Sequence, residues 1–322
     1  MIMADEGFLD GLHAGFAVPP AELVALITRA TGTAPEQVER LKVGDENEVH
    51  RAALPGGATV FARIRKPGDG TFDSEVWAME QARAAGVPVP RILILTGIPS
   101  EAGERSAMVV EQAAGRQLGE VLPDLDPDRR RAVMINVGRV LARIHAVATP
   151  GPRRPDAAGR WPDPTDVRNS LIMEREAQRP SLEAAELTAA EIGAALDQVR
   201  RSPDVPPRTD AVLCHGDLHG AHVFVDDELA VRGVIDWGLW HGGSRIGDLA
   251  MTSTKYPEPD FEAILTGYGI TPDPEFRERL AQAVISQSIP HLAWHDSIGN
   301  APGRAHYAEK IRTALARLRP SV

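Results

Sequence analysis

One stretch restricts this chain more than any other. From His215 to Val225 the sequence reads His-Gly-Asp-Leu-His-Gly-Ala-His-Val-Phe-Val. After a turn signal at Asp226-Asp227 a second apolar run ends in Val234-Ile235-Asp236-Trp237. Short apolar runs on either side of a turn signal read as a β-hairpin. A hairpin brings whatever precedes its first strand next to whatever follows its second. Asp217, on the loop before it, and Asp236, at its far strand end, therefore converge from opposite sides, with His222 five residues beyond Asp217. Such a pair of carboxylates suits phosphoryl transfer: one orients the attacking hydroxyl and accepts its proton, and the other offers oxygen to a magnesium ion that neutralises the phosphates. Singly, loop aspartates are most often turn or cap residues; the ordered pair carries the reading.

The rest of the chain divides into a β-rich third and a helical remainder. Residues 20–31 read as a helix with Leu23 and Ile27 on one face. Extended segments at 44–54 and 59–65, joined at Pro55-Gly56-Gly57, form a hairpin. Residues 72–85 are helical, ended by Gly86 and Pro88, and 91–95 and 107–112 supply two more strands, giving a small mixed sheet with one prominent helix. The character changes at Ala113-Ala114-Gly115, so the expected division is 1–112 and 113–322. Beyond it, 128–147 is a long amphipathic helix, 151–166 a loop, 182–200 a helix, and 261–318 mostly helical.

Composition narrows the function classes. A net charge of -10 argues against a nucleic-acid partner, though it says little about nucleotides, which need only a small positive site. No apolar run is long enough to cross a bilayer, and Met1 to Asp10 lack the layout of a secretion signal. The single cysteine, Cys214, excludes an internal disulfide and reads as a small core residue. A cytoplasmic location is expected, with no membrane and no protein partner evident.

The His215–Val225 string, with Ile235-Asp236-Trp237 after it, resembles the aminoglycoside phosphotransferase family of antibiotic and metabolite kinases, whose motif is His-Gly-Asp-x-His-x-x-Asn followed by a strand-end Asp. The resemblance extends over nearly the whole chain. It implies an α+β, bilobal, protein-kinase-like fold, with a small β-rich N-lobe and a larger, mostly helical C-lobe. It also implies transfer of the γ-phosphoryl group of ATP or GTP, with magnesium or manganese, to a hydroxyl of a small molecule. By position, Asp217 is the catalytic residue, and Asp236 and His222 are the metal site. Gly44 and Asn47 fall on the nucleotide-covering loop and its flanking strand, Arg63 where the phosphate-contacting lysine stands, Glu75 where its acidic partner stands, and Glu111 in the hinge at 108–115. Asp248-Leu249-Ala250 matches a helix start, where Asp248 is an N-cap candidate that also braces the catalytic loop.

Two departures stand out. His222 replaces the usual asparagine, and Arg63 replaces the usual lysine; in both respects the chain resembles the subgroup that phosphorylates macrolides. Arginine keeps the charge and can fork onto phosphate or carboxylate. Trp240, His241, His291, Trp294 and His295 could line an acceptor pocket for a weakly charged, macrolide-like or other neutral hydroxylated compound, although tryptophans at helical spacing are more often core. His215 and His145 read as structural, and His219 can go either way. The two departures also keep open a nucleotide-binding pseudokinase, which nucleotide hydrolysis would separate from a kinase.

Overall fold

The computed structural model describes residues 18–41, 47–101, 103–202 and 204–318. They fall into two compact units. Among these residues, one unit takes those up to Glu80 together with Val89–Ala114, and the other takes Gln81–Pro88 and those from Gly115 onward.

The first unit is a five-stranded sheet. Helix α1 (Pro20–Thr31) begins on a proline, buries Leu23, Leu26 and Ile27 as one stripe, and stops at Gly32. Strands β1 (Gln37–Leu41), β2 (Asn47–Ala53), β3 (Thr59–Arg65), β4 (Ile92–Ser100) and β5 (Gly103–Glu111) run in the order β1-β2-β3-β5-β4. Every adjacent pair is antiparallel, so the sheet is not the mixed one expected. The physical reason is the β4–β5 hairpin. It is longer than the runs 91–95 and 107–112 suggest, and it returns β5 against β3 with reversed direction. On β3, Val60, Ala62 and Ile64 are buried against α1 in the unit's core, so Arg63 and Arg65 project from the opposite face. Helix α2 (Asp73–Ala84) follows.

The second unit is largely helical. It starts with β6 (Arg116–Gln117) and the short α3 (Leu118–Val121). In α4 (Pro127–Ile144) the Asp126 side chain caps the N-terminus by accepting from the N–H groups of Asp128 and Arg129. Val133, Val137, Val140, Leu141 and Ile144 are buried on one face, as their spacing predicts. Three helices follow: α5 (Pro164–Ala177), α6 (Arg179–Ala184) and α7 (Ala189–Arg201). The single helix expected at 182–200 is therefore two, because Thr188 and Glu191 form a capping box that starts a new helix.

Next come β7 (Val212–Cys214), β8 (Val223–Val225), β9 (Val231–Val234) and β10 (His241–Gly243), then α8 (Arg245–Lys255), α9 (Glu258–Tyr268), α10 (Pro274–Ser297) and α11 (Ala301–Arg317). A core of Leu182, Leu196, Ile285, Ile289, Leu292 and Ile311 joins α6, α7, α10 and α11. Each such side chain contributes roughly 1.5–3 kcal/mol by leaving water. No helix among the described residues is long and apolar enough to cross a membrane.

Candidate active site

The loop between β7 and β8 carries His215 to His222, and its shape follows from one glycine and one aspartate. Gly216 has φ +83°, and a Cβ there would lie 2.4 Å from the Leu239 carbonyl oxygen, so only glycine fits the turn. Asp248, in the first turn of α8, accepts the His215 N–H on Oδ2 and the Gly216 N–H on Oδ1, each at 2.9 Å. The expected bracing of the loop by Asp248 is what the structure has. The expected N-cap role is not: α8 begins earlier and is capped by the Ser244 side chain, which accepts from the Gly247 N–H.

Behind Asp248, buried His145 donates from Nε2 to Oδ2 at 2.9 Å, and its Nδ1 accepts from the Tyr268 hydroxyl at 2.9 Å. Burial opposes ionisation of Asp248, but the His145 bond prevails and holds the carboxyl down at about 2. The ring of His215 is likewise buried and structural. Its Nε2 donates to the Ile235 carbonyl at 3.0 Å, and its Nδ1 accepts the Asp217 N–H at 3.3 Å. Cys214 is a buried core residue, as expected.

Asp217 is held on both carboxylate oxygens. Lys255, the last residue of α8, places Nζ 2.9 Å from Oδ1. His219 accepts the Ala221 N–H on Nδ1, which leaves its Nε2 protonated and 3.4 Å from Oδ2. Burial alone would raise the Asp217 pKa. The His219 bond and the Lys255 charge outweigh it and hold the carboxyl far below the usual carboxylate range. Asp217 is therefore ionised at neutral pH.

His222 and Asp236 meet where the β8–β9 hairpin closes. Val223 pairs with Val234, and the Ile235 N–H donates to the His222 carbonyl at 3.0 Å, so the residues flanking the hairpin become neighbours. The His222 ring donates from Nδ1 to the Asp217 carbonyl at 2.8 Å, which turns Nε2 to within 3.3 Å of Asp236 Oδ2. Asp236 has φ +62°, a left-handed conformation that aspartate tolerates at a cost of about 1 kcal/mol. The sequence expects this pair as a metal site, and the donor set fits a divalent cation. An imidazole nitrogen whose other nitrogen carries the proton presents a lone pair beside a carboxylate oxygen, and a cation reconciles two such donors.

In the first unit, Arg63 and Glu75 form an ion pair, and Glu75 is buried with 1% side-chain exposure. Arg65 Nη2 approaches the other Glu75 oxygen at 3.5 Å, and both guanidinium groups lie over the Phe72 ring, at 5.5 Å for Arg63 and 4.4 Å for Arg65. Two arginines on one carboxylate leave a net positive charge on that face. Asn47, at the start of β2, sits opposite Arg65 and is buried. Glu111 closes β5, and its carboxylate accepts from Arg91 at 2.7 Å. Gly44 lies outside the described residues.

The model of the phosphotransferase enzyme family, APH, matches residues 37–284, most of the chain. The chain belongs to this family. Among sequence relatives, acyl-CoA dehydrogenase family member 10 of Mus musculus is 27% identical over 75% of this chain, although the matched part is only 22% of that protein. The aminoglycoside 3'-phosphotransferase of Streptomyces fradiae is 29% identical over 61% of this chain and 70% of its own length. Among solved structures, the aminoglycoside phosphotransferase APH(4)-Ia, a thermostable mutant in ternary complex with ADP and hygromycin B, superposes with a TM-score of 0.70. It covers 93% of this chain and 100% of that chain at 18% identity. The protein-kinase-like α+β fold expected from the motif is thus the fold of this phosphotransferase.

Three partners of the residues described above, one in the first unit and two in the second, were not picked out by sequence. Lys255 reads as an ordinary basic residue complementing a helix C-terminus, Arg65 as a solvated strand charge, and Tyr268 as a helix-end aromatic. Trp240 turns out to be buried core, 1% exposed, against Trp161 and Arg154, and so is not pocket surface. Trp294, by contrast, is 40% exposed.

Proposed function

We propose that this phosphotransferase moves the γ-phosphoryl group of ATP or GTP to a hydroxyl of a small molecule, either an antibiotic of macrolide-like or aminoglycoside type or a related metabolite. The observation that carries the reading is the convergence of Asp217, His222 and Asp236 across one hairpin, with Asp217 ionised between Lys255 and His219. The β-rich domain would supply nucleotide contacts through Arg63 steadied by Glu75, with Asn47, Glu111 and Gly44 as the further contacts that their family positions imply.

The low pKa of Asp217 sets its part in the step. A weak base cannot strip a hydroxyl early. Asp217 instead accepts a hydrogen bond from the hydroxyl, aims its oxygen at the γ-phosphorus, and receives the proton late, as a loose transition state permits. One oxygen–phosphorus bond forms on the acceptor and the β,γ-bridging bond breaks, releasing the nucleoside diphosphate. Asp236, with His222 Nε2, would hold magnesium or manganese, which supplies neutralising charge to the phosphates.

The test is a panel of hydroxylated antibiotics and metabolites incubated with ATP or GTP and a divalent ion, read by mass for the gain of one phosphoryl group. One modified acceptor whose formation requires Asp217 supports the reading. Binding of nucleotide with neither transfer nor hydrolysis, across the panel and both metals, would leave the pseudokinase.

A further inference from the structure

Around Asp217, on the side away from His222 and Asp236, the second unit presents a stack of rings. Lys255 Nζ, 2.9 Å from Asp217 Oδ1, lies 6.0 Å from the centre of the Tyr307 ring. Tyr307 is stacked by His291 at 5.1 Å and by His295 at 5.5 Å, and Trp294 meets His295 edge-on at 4.7 Å. These rings come from α10 and α11. His291, Trp294 and His295 stand three and four residues apart on α10, so they share one face.

The charges around this wall are one-sided. Among the described residues, the lysine, arginine and carboxylate groups acting on His291 are Lys255, Asp217 and Arg175, and those acting on His295 and His306 include Lys255 and Lys310. Among these named groups Asp217 is the single acid, and its Oδ1 faces Lys255 Nζ at 2.9 Å. Two nearby acids have partners of their own: Asp296 accepts from Arg304 at 2.7 Å, and Asp260 takes both ends of Arg130 at 2.8 and 2.6 Å. Burial first, and then Lys255, pushes His291 down to about 3 and lowers His295, so the imidazoles are neutral rings at physiological pH.

Resting on the kinase reading above, the geometry points to an uncharged, ring-bearing hydroxyl compound as the acceptor, laid against His291 and Trp294, with Lys255 as the residue that turns away polycations. A polycationic acceptor needs acids around the reacting hydroxyl. Here its ammonium groups would meet a lysine and neutral rings, and like charges set face to face oppose binding. An apolar sugar or lactone face suits imidazole and indole surfaces. Lys255 also orients Asp217 through Oδ1, while the longer His219 contact on Oδ2, at 3.4 Å, is the one an incoming hydroxyl would share.

The test compares kcat/KM for an uncharged aryl glycoside and for kanamycin, a polycationic aminoglycoside, in wild type, Lys255→Glu and Trp294→Ala. Wild type is expected to favour the uncharged acceptor. Lys255→Glu is expected to move the ratio toward the cationic one by about tenfold or more. Trp294 is 40% exposed, and folded Trp294→Ala is expected to raise KM for the aryl glycoside several-fold with kcat little changed. A wild type that prefers kanamycin overturns the inference, as does an unchanged ratio in folded Lys255→Glu. Failure of the kinase reading looks different: no nucleotide-dependent phosphorylation of any acceptor.

Discussion

His222 donates through Nδ1 to the main-chain carbonyl of Asp217 at 2.8 Å, so its second nitrogen is committed to face Asp236. The usual asparagine of the family motif would bring an amide oxygen to this position. Nitrogen donors favour manganese and cobalt over magnesium more than oxygen donors do. His222→Asn is therefore expected to lower the manganese-to-magnesium activity ratio several-fold. If the ratio stays unchanged while stability falls, His222 is scaffold for the loop and not a ligand.

Asp248 is a buried carboxylate that holds the loop between β7 and β8 by two main-chain N–H groups. Its folded pKa, about 2, lies below the ordinary 3.8, so its contribution to stability is present above pH 3.8 and is lost as pH falls toward 2. That shift corresponds to about 2 kcal/mol at neutral pH. Asp248→Asn should be destabilised relative to wild type at pH 7, and the gap should narrow steadily below pH 4 in urea titrations. A gap constant from pH 7 to 3 would mean that the carboxylate charge is not what holds the loop.

Arg63 and Glu75 should behave as one unit. Glu75 is almost wholly buried, so removing Arg63 strands a charge, and removing Glu75 frees two arginines from their anchor. Each single alanine substitution is expected to weaken nucleotide use, and the double substitution should cost less than the sum, with a coupling of about 1–3 kcal/mol. Additive losses in the double-mutant cycle would show that the two act separately. Arg65→Ala should weaken nucleotide affinity less than Arg63→Ala, because it makes the longer approach to Glu75.

How far the sequence predicts this protein depends on how local each signal is. The loop–hairpin–Asp236 geometry was legible because turn chemistry and strand alternation fix it within about twenty residues. Arg63 and Glu75 were legible through their family positions, although only folding shows that Arg65 shares the same carboxylate. Helix α5 escaped notice, since its buried positions, Val167, Leu171 and Arg175, form a thin stripe that includes a charge. Arg175 is buried because its Nε donates to the Ser286 carbonyl on α10, a partner 111 residues away. Lys255 was missed for the same reason: its partner Asp217 lies on another element, and nothing within α8 marks the lysine as special. The helix start at Ser244 was displaced to Asp248 because aspartate is an equally good cap by type. Here its side chain is taken by the His215 and Gly216 N–H groups.

The central claim is that Asp217 orients and deprotonates the acceptor hydroxyl while other groups hold the nucleotide. Single-turnover transfer and nucleotide affinity, measured side by side for wild type and Asp217→Ala, test it most directly. The account predicts that transfer falls to below a hundredth of wild type, about the lower bound for losing a positioned acid–base group, while nucleotide affinity stays within a few fold. Transfer retained above a tenth of wild type, in folded Asp217→Ala with normal nucleotide binding, would contradict it.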